Sequence, residues 1–202
     1  GGTTGEGSQN IGVWLRSNSL IAGVGQADVT VKGQGGLGGG SNIGVLMFNA
    51  SPKITSQQGS ITIEGIGGDG FFSHGVRLAE GLIESAADGS NSATINVTGT
   101  KAGDASIQLD GANTRIQSAG APIFVTGIGS RIDLRNGAQV LANAPDANAD
   151  ITVTTNALNI SGTSNINSGT DTTTLRPHTA GTLIDLGGAD AAGTLGLTDA
   201  EL

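Results

Sequence analysis

The chain has 202 residues, of which 36 are glycine and 4 proline, with no cysteine and a net charge of −8. No strict Gly-X-Y period runs through it, which excludes a collagen-like fibre, and the missing cysteine excludes disulfides and thiolate metal centres. The acidic charge is spread thinly with no basic stretch to track phosphates, so no nucleic-acid partner is expected.

Taken in chain order, the predicted elements are short strands that return as the same words. "GVWL" (12–15) is followed by a strand at Leu20 and Ala22, then by "VTVKG" (29–33) and the turn "GQGGLGGG" (33–40). The second set is "GVLM" (44–47), Ile54 with Ser56, "ITIEG" (61–65) and "GIGGDG" (65–70); the third is "GVRL" (75–78), Ile83 with Ser85, and "INVTG" (95–99). Ile107/Leu109, Ile116/Ser118 and "IFVTG" (123–127) make a fourth; Ile132/Leu134, Val140/Ala142 and Ile151/Val153 a fifth; Leu158/Ile160, Ile166/Ser168 and the fainter Thr173/Leu175 a sixth. Ile184/Leu186 opens a seventh.

The heads of these words, Val13, Val45, Val76, Ile107, Ile132, Leu158 and Ile184, are spaced by 32, 31, 31, 25, 26 and 26 residues. Each has an apolar partner two residues on, which places both side chains on one face of a strand. One such set of strands cannot bury its own apolar face. Stacked sets align the heads into a continuous interior column. Three strands and three turns per repeat thus predict an all-β fold, a parallel β-helix of about seven three-strand coils. At ~4.8 Å per rung that is a rod roughly 34 Å long. An antiparallel sandwich would not repeat a three-strand word in one order, and a Ca²⁺-binding nonapeptide roll needs regular Gly-Gly-x-Gly-x-Asp words. Here "GGDG" (67–70) stands alone. The longest apolar run, residues 43–48, falls far short of the ~20 residues of a membrane span, so no membrane insertion of this segment is expected.

The words "GVxL", "xIxS" and "ITIxGxGG", with the C-terminal "TLRPHTAGTLIDLGGADAAGTLGLTDAEL" (174–202), resemble the rungs of filamentous haemagglutinin-like exoproteins and related large repetitive adhesins of Gram-negative bacteria. The resemblance implies a right-handed β-helix shaft, export across the outer membrane, and an extracellular or cell-surface role in adhesion. Residues 1–202 are then expected to be a single β-helix segment within a longer repetitive protein. Its partners would be neighbouring coils of that chain and a host-cell glycan or surface protein.

With the inward positions filled by Val, Ile and Leu, function is confined to outward ones. Trp14, Leu46, Phe48 and Arg77 form the expected contact surface: Trp14 beside Leu46, with Phe48 close by, would make an exposed apolar patch unless a neighbouring coil or loop covers it. Arg77, Asp110, Asp133 and Arg135 are expected to pair across coils. The competing reading is a β-helix polysaccharide lyase or glycoside hydrolase, which needs convergent carboxylates or basic groups on one outer sheet. Only Asp110 and Asp133 lie near each other, so no enzymatic activity and no cofactor is expected. His74 and His178 have no second ligand at metal spacing and are expected to be solvated turn residues. Asn49, Asn96 and Asn159 each begin an Asn-x-Ser/Thr word, an acceptor pattern for N-glycosylation.

Overall fold

The computed structural model describes residues 7–85, 93–142, 149–199 and 201. Six coils of three strands follow one another. The first three are β1 (Val13–Arg16), β2 (Leu20–Gly23), β3 (Val29–Gln34); β4 (Val45–Phe48), β5 (Lys53–Ser56), β6 (Ile61–Ile66); and β7 (Val76–Ala79), β8 (Leu82–Ser85), β9 (Ile95–Thr100). The next three are β10 (Ile107–Asp110), β11 (Arg115–Ser118), β12 (Ile123–Ile128); β13 (Ile132–Arg135), β14 (Gln139–Ala142), β15 (Ile151–Thr154); and β16 (Leu158–Ile160), β17 (Asn165–Asn167), β18 (Thr173–Arg176). Every third strand pairs in parallel with the one before it, giving three six-stranded sheets. The chain is an all-β parallel solenoid.

The interior column is the predicted one. Val13, Val45, Val76, Ile107, Ile132 and Leu158 are successive register partners on the first sheet. Ile61, Ile95, Ile123 and Ile151 do the same on the third. From Val45 to Leu158 these residues are fully buried, and each stabilises the stack by about 1.5–3 kcal/mol through lost apolar surface. Ser56, Ser85 and Ser118 close the second strands and point inward. Ser85 Oγ accepts from the Ala93 N–H at 2.8 Å and Ser118 Oγ from the Ala121 N–H at 2.9 Å, both at the following corner, while the Ser56 hydroxyl donates to the Ala27 carbonyl of the preceding coil at 3.2 Å.

Two sequence expectations move. On β2, Ile21 and not Leu20 is the partner of Ile54, and Gly23 rather than Ala22 pairs with Ser56. "LIAG" is apolar in both alternations, so its pattern does not fix the face, and a one-residue slip exchanges them. Leu20 is left 61% exposed. The second change is the seventh coil. Ile184 and Leu186 lie on β19 (Leu183–Leu186), which pairs not with β16 but with β20 (Thr194–Leu197) in a separate two-stranded sheet. The solenoid therefore has six rungs on each sheet.

Two backbone devices recur along the coils. The residue just after the first strand, Ser17, Asn49, Glu80, Gly111 or Asn136, has φ between 55° and 101°. The stacked left-handed residues turn the chain from the first sheet to the second, a conformation Asn and Gly adopt most readily. The second device is a neck between the third strand and the next coil. A Cβ on Gly33 would lie 2.1 Å from the Gly44 carbonyl oxygen, one on Gly65 2.0 Å from that of Gly75, and one on Gly99 2.2 Å from that of Ser106. The chain touches itself there, and what lies between is a loop outside the coil. These loops shorten along the molecule, from residues 34–43 and 66–74 to 100–105 and 128–130, which accounts for most of the shrinking repeat interval.

Candidate contact surface

The outer face of the first sheet carries the residues singled out by the sequence. Trp14 pairs with Leu46, and Leu46 with Arg77, as expected. Their exposure is uneven: Trp14 is 46% and Phe48 40% exposed, whereas Leu46 is only 6% exposed. Leu46 therefore does not belong to an exposed patch. It sits between the long side chains of Trp14 and Arg77 on its ladder, at rung spacing, and those neighbours shield it. Arg16 lies over the Trp14 ring at 4.8 Å from its centroid, a cation–π contact that occupies one of the two ring faces.

Further along this face the charged residues pair with each other. Asp110 receives the Arg135 guanidinium at 3.0 Å and the Asn136 amide at 2.7 Å, with Arg77 at 4.0 Å. Partial burial pushes the Asp110 carboxyl up, but the hydrogen bonds from Asn136 and Arg135 and the charges of Arg135 and Arg77 outweigh it and hold it below the usual carboxylate range. Asp133, 3% exposed, accepts from the Asn159 amide and lies 3.8 Å from Arg131. The pairing of Arg77 and Arg135 with Asp110 is the expected one; Asp133 takes Arg131 instead. Both carboxylates are thus engaged by neighbouring side chains. Asn159 is tied to Asp133, whereas Asn49 is exposed in its left-handed turn.

The loops outside the coil add residues that the sequence reading passed over. Phe71 and Phe72 stand at the tip of the 66–74 loop, 70% and 65% exposed, with their rings edge to face at 6.0 Å. This loop is stacked on its neighbours and tied to them by hydrogen bonds. The Ser41 N–H donates to the Phe71 carbonyl at 2.9 Å, the Gly68 N–H to the Asn42 carbonyl at 2.8 Å, and the Lys101 ammonium to the Gly68 carbonyl at 2.7 Å. Asn42 and Ser73, both fully buried, anchor its base: the Asn42 N–H donates to Ser73 Oγ at 3.0 Å, and the Asn42 amide to the Asp69 carbonyl at 2.8 Å. Phe72 has φ of 55°, a left-handed conformation that costs a bulky residue about 1 kcal/mol, and its ring gains almost no burial in return.

His74, expected in solvent, is 3% exposed and takes the ladder place of Ile43. "NIGV" (42–45) and "SHGV" (73–76) are one word, and Nδ1 lies 3.0 Å from the Ala105 carbonyl oxygen. Burial, more than any neighbouring charge, pushes its imidazole below the usual range. His178 lines a groove of about 570 Å³ with Arg131, Asn156, Thr179 and Asp190. A second groove of about 410 Å³ runs over Lys32, Glu64, Ile66 and Thr98 on the third sheet. Asp110 and Asp133 line neither of them. Among the described residues no three His, Cys, Asp or Glu side chains cluster as metal ligands, and no helix is long and apolar enough to cross a membrane.

All five aromatic residues of the chain, Trp14, Phe48, Phe71, Phe72 and Phe124, are at least 38% exposed. No family model, curated protein or solved structure matches the chain.

Proposed function

We propose that this chain is a non-enzymatic shaft segment of a secreted or surface-anchored bacterial adhesin, exported across the outer membrane, with its contact surface on the N-terminal coils. The observation that carries the reading is the placement of the aromatics. Aromatic rings are normally the heaviest apolar residues of a core; here the interior column uses none, and four of the five lie within residues 14–72. Trp14 and Phe48 stand on the first sheet, Phe71 and Phe72 on the loop beside the third. Rings held at fixed positions on stacked backbone suit stacking against the apolar faces of sugar rings, and aromatic and Arg residues supply most anchor energy in protein interfaces. The partner class is a host-cell glycan or surface protein, with adjoining coils of a longer chain stacked on the same column. The self-paired Asp110 and Asp133 weigh against the alternative, a β-helix polysaccharide lyase or glycoside hydrolase.

Binding to a glycan array and to host cells tests this. Trp14→Ala/Phe48→Ala and Phe71→Ala/Phe72→Ala variants should each lose binding while keeping the β-sheet circular dichroism. Undiminished binding by both variants would reject the reading. Release of unsaturated or reducing sugar products, abolished by Asp110→Asn or Asp133→Asn, would favour the enzyme instead.

A further inference from the structure

The C-terminal end of the solenoid has two segments suited to one position. On four of the five earlier rungs of the first sheet, the N–H of the column residue donates to the following coil: Val13 to the Gly44 carbonyl, Val45 to that of Gly75, Val76 to that of Ser106, and Ile132 to that of Ala157. On the last rung, β16, no strand follows. Instead the Leu158 N–H donates to Asp190 Oδ2 at 3.0 Å and the Ile160 N–H to Glu201 Oε1 at 3.2 Å. The other oxygens of the same carboxylates hold the C-terminal unit: Asp190 Oδ1 accepts from the Gly196 N–H at 2.9 Å, and Glu201 Oε2 from the Thr198 N–H at 2.9 Å and its hydroxyl at 2.7 Å. Two side chains thus satisfy an open sheet edge. The apolar end of the column is covered by Leu195 and Leu197 of β20, 1% and 4% exposed.

The strand that carries the rung word lies outside. β19 reads "LIDL" against "RIDL" of 131–134, and Ile184 follows Leu158 at the same 26-residue interval that separates Leu158 from Ile132. Its Leu183, Ile184 and Leu186 are 68%, 48% and 68% exposed. Two leucines of β20 fill the place that an isoleucine and a leucine of β19 match in size and spacing. Exchanging one pair for the other leaves the buried apolar area nearly unchanged. The carboxylate bonds, charge-assisted and lost in the exchange, are replaced by ladder bonds to β19 carbonyls.

We propose that β19 is a seventh rung held off its rung: the C-terminal unit has a second position, in which β19 pairs in parallel with β16, Ile184 and Leu186 join the interior column, and the Asp190 and Glu201 carboxylates let go of the edge. The carboxylate clamp sets the balance between a six-rung and a seven-rung solenoid. In the extended form Asp185 falls beside Asn159 on the outward ladder, continuing the Asp133–Asn159 pairing.

A cysteine pair reads this directly, because the chain has no cysteine of its own. Asn159→Cys/Asp185→Cys should form an intramolecular disulfide under mild oxidation. The rate should rise by roughly tenfold or more when Asp190→Ala and Glu201→Ala remove the clamp, because two charge-assisted bonds to the edge are lost. Gln108→Cys/Asp133→Cys, register partners on the same face, is the positive control for cross-rung bridging. Absence of the 159–185 bridge in both backgrounds while the control closes would overturn the proposal. A rate indifferent to the clamp would overturn it too, as would a product found only between two chains.

Discussion

The first three coils and the last three share one interior and differ in almost everything outside it. Both ends stack Val, Ile and Leu at the same two faces in the same register. The first two coils carry loops of ten and nine residues at 34–43 and 66–74, the third has six at 100–105, and the fourth passes the same corner in three, at 128–130. Strand pairing and column burial depend only on what lies inside the neck, where chain touches chain. Material beyond the neck can lengthen, stack on itself and present side chains without disturbing the rung. The solenoid and the surface around it are thus set by separate parts of each repeat.

The largest effect should come from the shared interior. Val76→Asp places an unpaired carboxylate in the middle of the column, where burial without a partner costs several kcal/mol. Urea unfolding should shift to far lower denaturant or vanish, and an unchanged midpoint would break the idea of one common core. Next comes the neck. Gly65→Ala drives a methyl into the Gly75 carbonyl, so a loss of about 1–3 kcal/mol is expected from overpacking. Gly103→Ala, in open space on the 100–105 loop, should cost about 1 kcal/mol through its left-handed φ alone. Equal losses in the two variants, measured by chemical denaturation, would dissolve the distinction between neck and loop.

A subtler test uses acid. His74 has its folded-state pKa lowered by burial. The unfolded chain therefore binds the proton first as pH falls, and stability drops from about pH 6.5 downward until the folded-state pKa is reached. His74→Ile, which restores the residue found at position 43, should flatten that slope; a slope that survives the substitution would place its origin elsewhere. Asp110 works in the opposite part of the scale. Its contribution is present above the ordinary carboxylate pKa and is lost only as pH falls through its lowered value. Asp110→Asn should cost less than about 1 kcal/mol at neutral pH, as partly exposed ion pairs usually do. The smallest effect belongs to the display surface. Phe71→Ser should alter stability by no more than about 0.5 kcal/mol, and a larger loss would mean that the loop tip supports the shaft.

The column was legible in the sequence because its period is enforced on every rung by the same requirement, an apolar pair at i and i+2. The third sheet, with Ile61, Ile95, Ile123 and Ile151 in register, followed from the same rule. The failures fall where pattern and partner separate. Leu20 and Ile21 are both apolar, so only pairing with Ile54 distinguishes them. Ile184 and Leu186 satisfy the pattern but lack a rung beneath them, because β20 and two carboxylates already hold it. Leu46 was read as exposed because alternation gives a direction and not the length of the neighbours. Phe71 and Phe72 were legible in principle: with the inward positions taken by aliphatic and small residues, the aromatics had to be outside.

The absence of aromatics from the interior also fixes what light can report. The chain has one tryptophan and no tyrosine, and the tryptophan, Trp14, stands half in water beneath the Arg16 guanidinium. Its emission is set by that contact and by solvent, so melting of the column far from the first coil leaves it largely unmoved. If the proposed contact surface is used, a sugar or protein settling on the first sheet would displace water from the indole itself. Fluorescence of the unmodified chain would then be an intrinsic titration signal for occupancy of the N-terminal coils, while unfolding of the later coils is followed through the backbone.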